Sequence, residues 1–198
     1  PAMKEKEIHG LLLVGGRSQR MGADKALLRF NGREPQIQHA AELLGSVCPK
    51  VFISLRREQA FPIPKGTAPL HDSVNDVHGP LCGILSAMQA YPEAHWLVLA
   101  CDLPFLRRPA LEKLIREFHA AALHPTAYRS AHDGLPEPLC ALYPAGFAQP
   151  LEELARDLGK HCPRKLLIQA NVQLIDQDDP HSLDNINTPE EFAAASRA

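Results

Sequence analysis

The sequence lacks the features that mark several common protein classes. Its five cysteines form no CxxC pair and its ten histidines form no HExxH motif, so neither a zinc site nor a zinc protease is indicated. The longest apolar runs, such as WLVLAC, fall far short of the ~20 residues that cross a bilayer, and no signal-peptide pattern opens the chain. The formal net charge is −2 with both signs interspersed, which disfavours a nucleic acid partner. We therefore expect a cytoplasmic protein that binds neither membrane nor nucleic acid.

The cysteines occur singly, which is typical of buried, reduced thiols that act as small apolar side chains. They are Cys48, Cys82, Cys101, Cys140 and Cys162. Pro1 and Ala2 precede Met3 and are interpreted as an expression scar. With 198 residues and no low-complexity linker, the chain is expected to form one domain over residues 4–198.

Short apolar runs alternate with segments of helical periodicity, which predicts an α/β fold. The predicted strands of the first half are IHGLLLV, KVFISL, APLH and HWLVLAC, and the predicted helices are Pro35–Val47, GPLCGILSAMQAY and RPALEKLIREFHAAAL. Such alternation implies βαβ crossovers. We expect a single Rossmann-like domain whose mostly parallel sheet carries helices on both faces.

The second half is less regular. TAYRS and EPLCALY are predicted to pair as strands and VQLID to form a last strand, while AGFAQPLEELARDLG, PRKLLIQA and TPEEFAAA are predicted helices. Thr188 with Glu191 matches a capping box, and Pro189 then occupies the first helical position.

The stretch LLLVGGRSQRMGADKALL joins an apolar strand to a glycine- and cation-rich segment. Gly15 and Gly16 permit a close approach of backbone N–H groups to a phosphate, and Arg17, Arg20 and Lys25 supply positive charge. The stretch matches neither the GxGxxG nor the Walker pattern. Its composition leaves two interpretations, a phosphate-binding loop or an ordinary solvated turn.

Two aspartates follow predicted strands, where open α/β sheets bind their ligands. Asp102 ends HWLVLACD and is either a hard oxygen ligand for Mg²⁺ or a turn residue. Asp72 precedes a predicted helix start flanked by Gly79 and Gly83, whose bare backbone suits close approach to a base or ribose, although a plain loop is the alternative. A shared crevice would favour the ligand roles.

Asn185 and Asn187 lie in LDNINTPEE near the carboxyl end. As alternate residues of an extended segment they would point to the same side. They are candidates for binding an amide-rich ligand, with turn formation as the alternative.

Taken together, four segments in order resemble the molybdenum cofactor guanylyltransferase family: LVGGRSQRMGADKALL, DSVNDVHGPLCGILSAM, ACDLPFL and NINTPEE. The resemblance implies transfer of GMP from GTP to the terminal phosphate of molybdopterin, with release of pyrophosphate and Mg²⁺ as cofactor. It implies catalytic roles for Arg20, Lys25 and Asp102, with Asp102 on the metal and Asn185 and Asn187 on the pterin. The predicted nucleotide-binding residues are Leu13, Val14, Gly15, Gly16, Lys25, Ser54, Asp72, Gly79, Gly83 and Asp102.

Three positions depart from the family pattern. Val14 replaces a usual alanine, Ser54 replaces an asparagine, and Glu137 replaces the glutamine of a frequent QP dipeptide. A carboxylate near an anionic substrate is expected to oppose its binding. Glu137 therefore bears on which acceptor is used.

Two further hypotheses remain open beside the guanylyltransferase. One is a cytidylyltransferase that uses CTP on molybdopterin or another phosphorylated metabolite. The other is a regulatory domain that binds nucleotide without turnover. The resemblance also implies transient contact with other proteins of molybdenum cofactor biosynthesis.

Overall fold

A computed structural model describes residues 5–14, 27, 29, 34–186, 189–195 and 197. Within these residues the strands are β1 Ile8–Leu13, β2 Lys50–Leu55, β3 Ala68–His71, β4 His95–Ala100, β5 Thr126–Arg129, β6 Pro136–Tyr143 and β7 Gln173–Ile175. The helices are α1 Gln36–Gly45, α2 Pro80–Ala90, α3 Arg108–Ala120, α4 Ala148–Leu158, α5 Pro163–Gln169 and α6 Pro189–Ala195.

All seven strands form one sheet in the order β3-β2-β1-β4-β6-β5-β7. Strand β6 runs antiparallel to β4 and β5, whereas every other neighbouring pair is parallel. The predicted pairing of TAYRS with EPLCALY is confirmed as β5 with β6. Because β6 is reversed, its first residues lie at the edge where the parallel strands end.

Helices cover both faces of the sheet, as predicted. Successive residues of β1 belong to different cores: Leu12 packs in the cluster that contains Leu44 of α1 and Leu114 of α3, whereas Leu11 packs with Ile84 of α2 and Leu166 of α5. Apolar residues fill both sides of each central strand, which is why these strands have continuous rather than alternating hydrophobicity. The buried sheet thus holds the strand ends at fixed positions.

Backbone conformation sets the helix ends where periodicity alone predicted longer helices. Helix α3 ends at Ala120, before Leu123, because Ala122 and Leu123 adopt φ values of 53° and 62°. Helix α4 begins at Ala148 because Gly146, with φ 79°, turns the preceding chain. Apolar periodicity locates the packed part of a helix better than its ends.

The cysteine prediction is correct for four residues and wrong for Cys162. All five thiols are free, and Cys162 alone among them is exposed. It is the N-cap residue of α5 in the surface loop before that helix, followed by Pro163. The capping residue Thr188 lies outside the described residues, so that capping box stays a prediction. No described helix has the length and apolar character to cross a membrane.

Candidate active site

A crevice of about 470 Å³ opens at the carboxyl ends of β1, β2 and β4. Its wall brings together every described residue that was predicted to bind the nucleotide. These are Leu13, Val14, Ser54, Asp72, Gly79, Gly83 and Asp102. Segments up to 89 positions apart in the chain thus meet at the sheet edge where ligands of this fold class bind.

The remaining predicted residues divide into two groups. Gly15, Gly16, Arg17, Arg20, Lys25 and Asn187 lie outside the described residues, so their roles stay predictions. Asn185 is described and exposed, and it is not part of the crevice wall. An acceptor role for Asn185 would therefore place the acceptor beside the crevice.

Gly83 allows helix α2 to approach the sheet at the crevice floor. A Cβ at this position would lie 2.3 Å from Ser54 Oγ and 3.1 Å from Leu13 Cδ2. The close approach that this glycine permits is therefore to the side chains of Ser54 and Leu13. The prediction had assigned that approach to a base or ribose. Gly83 shapes the crevice by letting the helix sit close to β2.

Gly79 serves the crevice through its backbone conformation. It is the N-cap of α2 with φ 67° and ψ −155°, a combination that residues with a side chain rarely adopt. Pro80 follows at the first helical position, and both residues line the crevice. The amino-terminal turn of α2 therefore borders the space, and its positive dipole end favours an anionic ligand.

Asp72 is partly buried in the crevice wall. Its backbone N–H donates to the carbonyl of Leu55 at 2.9 Å, which extends the pairing of β3 with β2. Burial raises the pKa of the Asp72 carboxyl, while a hydrogen bond from Cys82 and the charges of Arg56 and Arg57 act in the opposite direction. The group is a fixed oxygen acceptor at the end of β3.

Asp102 follows β4 and is also partly buried in the crevice. The preceding residue, Cys101, donates its N–H to the Leu13 carbonyl at 3.0 Å, which holds the end of β4 against β1. The described residues contain no cluster of three or more His, Cys, Asp or Glu side chains able to hold a metal. Mg²⁺ is commonly held by one or two carboxylates together with substrate phosphates. A single strand-end carboxylate fits that arrangement rather than a protein cage.

The sequence analysis missed five polar or thiol residues of the crevice wall: Arg56, Gln59, His78, Cys82 and Cys101. Arg56 directly follows the last residue of β2, so the strand-end rule that selected the aspartates could have found it. The Arg56 N–H donates to Gln59 Oε1 at 3.1 Å. Within the described parts of the chain, the Arg56 guanidinium has no salt bridge, and it contributes positive charge at the crevice mouth.

Glu137 lies near the start of β6, the strand next to β4. The antiparallel register pairs Leu99 with Cys140, and Glu137 lies three residues before Cys140 on β6, toward the edge where β4 ends. Its charge is also compensated, because Arg164 Nη2 lies 3.5 Å from Glu137 Oε1. The expected repulsion of an anionic acceptor is therefore reduced.

A second polar cluster joins the β5–β6 turn to the segment after β7. Asp184 Oδ1 lies 2.9 Å from His132 Nε2, and Asp184 Oδ2 lies 2.9 Å from His181 Nδ1. The hydrogen bond and charge of Asp184 raise the pKa of His181. Burial acts to raise the pKa of Asp184, but hydrogen bonds from His181 and His132 outweigh it and lower that pKa. This cluster adjoins Asn185 in the sequence.

The parallel strand ends, the crevice and its carboxylates define a nucleotide-binding α/β protein of the Rossmann-like class. The model of the MobA-like NTP transferase domain family matches residues 10–174. The molybdenum cofactor guanylyltransferase of Pseudomonas fluorescens strain SBW25 is 34% identical over 183 residues, which cover 91% of this chain and 89% of that protein. The chain therefore belongs to the MobA-like NTP transferase family, a family of nucleotidyltransferases.

Two other relatives show how far the likeness extends. The molybdenum cofactor biosynthesis bifunctional protein of Synechocystis is 39% identical over 96% of this chain, yet the match spans only 54% of that longer protein. The solved structure of molybdopterin-guanine dinucleotide biosynthesis protein A from Archaeoglobus fulgidus superposes with a TM-score of 0.74 at 25% identity, over 96% of this chain and 97% of that one. The fold is shared along nearly the whole chain.

Proposed function

We propose that this protein transfers GMP from GTP to the terminal phosphate of molybdopterin and releases pyrophosphate. The observation that carries the proposal is the match to curated molybdenum cofactor guanylyltransferases over about nine tenths of both chains. The crevice supports it, since the predicted nucleotide residues that are described all line one space. Transient contacts with other proteins of the same pathway belong to the proposal, because the acceptor must reach this crevice.

In the proposed reaction an oxygen of the acceptor phosphate forms a bond to the α-phosphorus of GTP. The bond from that phosphorus to the bridging oxygen of the β-phosphate breaks, and pyrophosphate leaves with the electron pair. Both reactants are anionic, so catalysis depends on positioning and on compensating charge. We assign the compensating charge to Arg20 and Lys25, assisted by Arg56 at the crevice mouth. No covalent enzyme intermediate is needed.

Mg²⁺ is the proposed cofactor, and Asp102 is the residue that would hold it. When bound, the ion would neutralise charge on the triphosphate. The contribution of the chain is to fix the carboxylate, because Asp102 follows a fully buried strand whose end is tied to β1. Such a rigid support is what a metal-binding side chain requires.

Nucleotide preference tests the base assignment. Thermal unfolding would be followed with GTP, CTP, ATP and UTP, each with Mg²⁺. A nucleotide at 100 times its dissociation constant adds ~2.7 kcal/mol, which corresponds to about 5 to 11 °C for a domain of this size. We expect GTP to give the largest shift. A larger shift with CTP would replace this assignment by a cytidylyltransferase.

Turnover tests the reaction itself. Pyrophosphate release and the dinucleotide product would be measured with GTP and molybdopterin for the unmodified protein, Lys25→Ala and the control Lys65→Ala. We expect Lys25→Ala to lose most activity with little change in melting temperature, and Lys65→Ala, at an exposed loop position, to resemble the unmodified protein. Nucleotide binding without pyrophosphate release would instead indicate a regulatory domain.

A further inference from the structure

Glu137 occupies an unusual place for a carboxylate. It is the second residue of β6, with 23% of its side chain exposed, and β6 lies directly beside β4 in the sheet. Leu139, two residues further on and on the same side of the strand, lines the crevice. Glu137 therefore lies at the border between the nucleotide crevice and the part of the sheet edge built by β6, β5 and β7.

Arg164 forms an ion pair with this carboxylate and helps to orient it. The guanidinium lies 3.5 Å from Glu137 Oε1 through Nη2 and 3.4 Å from Asp133 Oδ2 through Nη1. Burial raises the pKa of Glu137, and the charge of Arg164 and a hydrogen bond from Ser130 oppose this. Asp133 also raises that pKa, whereas His132 lowers it. Arg164 is thus a positioning residue for Glu137, and its charge favours the ionised carboxylate.

The acceptor proposed above contains a ring whose donor pattern suits a carboxylate. A pterin presents two adjacent donors, a ring N–H and an exocyclic amino group, beside a carbonyl. An ionised carboxylate has two acceptor oxygens and no donor, so it can accept both hydrogen bonds at once. A glutamine offers one acceptor and one donor, and its donor would face a donor of the ring.

We infer that Glu137, oriented by Arg164, recognises the amino-oxo edge of the acceptor ring and so determines acceptor specificity. This inference rests on the proposed function. Guanine carries the same edge, but the predicted nucleotide residues lie on or shortly after β1 to β4 or at the start of α2, whereas Glu137 lies on β6. The carboxylate is therefore assigned to the pterin and not to GTP.

The test measures binding of two fluorescent probes, pterin and lumazine, which differ in that lumazine carries a carbonyl in place of the 2-amino group. We expect the unmodified protein to bind pterin at least tenfold more tightly than lumazine. Glu137→Gln should weaken pterin binding at least tenfold and abolish the preference, with GTP affinity changed less than threefold. Glu153→Gln, an exposed position on α4, is the matched control and should change neither.

The role of Arg164 is read from a pH profile. Without the guanidinium the pKa of Glu137 should rise, so Arg164→Met should lose pterin binding at a higher pH than the unmodified protein as the solution is acidified. The same substitution in a Glu137→Gln background should leave the profile unchanged. If Arg164 had only a structural role, Arg164→Met would weaken pterin binding equally at every pH.

Three results would overturn the inference. They are the absence of a preference for pterin in the unmodified protein, equal or tighter pterin binding by Glu137→Gln, and a Glu137→Gln variant that loses affinity for GTP and not for pterin. The first needs no variant and so does not depend on variant folding. Pyrophosphate release measured separately distinguishes the two proposals. Selective pterin binding without transfer would refute the proposed function alone, and transfer without selectivity would refute this inference alone.

Discussion

The contact between Gly83 and Ser54 allows a quantitative test of how α2 packs at the crevice. An added Cβ at Gly83 would lie 2.3 Å from Ser54 Oγ, so one of the two groups has to move. Overpacking of this kind costs ~1–3 kcal/mol, and replacing a helical glycine by alanine recovers up to ~1 kcal/mol. We expect Gly83→Ala to lower the free energy of unfolding by a net ~0–2 kcal/mol.

A double-mutant cycle isolates the steric part. Ser54→Ala removes Oγ, after which the nearest atoms to the added Cβ are Leu13 Cδ2 at 3.1 Å and Ser54 Cβ at 3.5 Å. In that background Gly83→Ala should be nearly neutral or stabilising, which gives a coupling energy of ~1–3 kcal/mol. Gly45→Ala is the control, since its nearest atom would be Val51 Cγ2 at 3.8 Å, an ordinary contact.

Urea unfolding would supply the free energies and thermal unfolding an independent check. At ~2–4 °C per kcal/mol for a domain of this size, Gly83→Ala alone should lower the melting temperature by up to about 8 °C. If Gly83→Ala and Ser54→Ala were additive within ~0.5 kcal/mol, the steric argument would fail. Coupling of similar size between Gly45→Ala and Ser54→Ala would show that the effect is not local.

Three further predictions concern charge. Asp102→Asn should leave the fold intact but keep pyrophosphate release at least a hundredfold slow even at high Mg²⁺; an unchanged metal dependence would make Asp102 a turn residue. Asp184→Asn should lower the pKa of His181, read by NMR titration, because the hydrogen bond and charge of Asp184 raise that pKa. The stability that this pairing contributes is present below the ordinary histidine pKa and is lost as pH rises through the raised value. Folding raises the pKa of Glu137, so its contribution to stability is present below the ordinary carboxyl pKa and lost as pH rises through the raised value. The melting temperature of Glu137→Gln relative to the unmodified protein should therefore increase from pH 4 to pH 7, and a constant difference would contradict this.

The buried strands were predictable because each one is a run of apolar residues that the local sequence shows directly. KVFISL coincides with β2 and HWLVLAC contains β4, since a buried strand needs a continuous apolar run between polar turns. The end of α3 was not predictable in the same way. It depends on positive φ values at Ala122 and Leu123, residue types that carry no signal for that conformation.

The functional-site residues show the same difference between local sequence signals and contacts that depend on the whole fold. Asp72 and Asp102 were found because a carboxylate after an apolar run marks a strand end, and the crevice contains both. The partner of Glu137 could not be found, because Arg164 lies 27 positions away on a helix whose placement depends on the whole fold. The clash that makes Gly83 necessary was equally hidden, since it depends on the distance between α2 and β2.

The reversed strand β6 divides the molecule into two contiguous lengths of chain. Residues 8–100 supply β1 to β4 and residues 126–175 supply β5 to β7, so each half of the sheet edge comes from an unbroken stretch. Within the sheet the two halves are joined by one ladder, the pairing of β4 with β6 from Trp96 to Leu99. In a chimera that exchanged the second stretch for that of a relative, the only strand pairing formed between native and exchanged residues would be that of β4 with β6. Such modular construction would let the chain acquire a new acceptor surface while the part of the crevice built by residues 13–102 keeps its sequence.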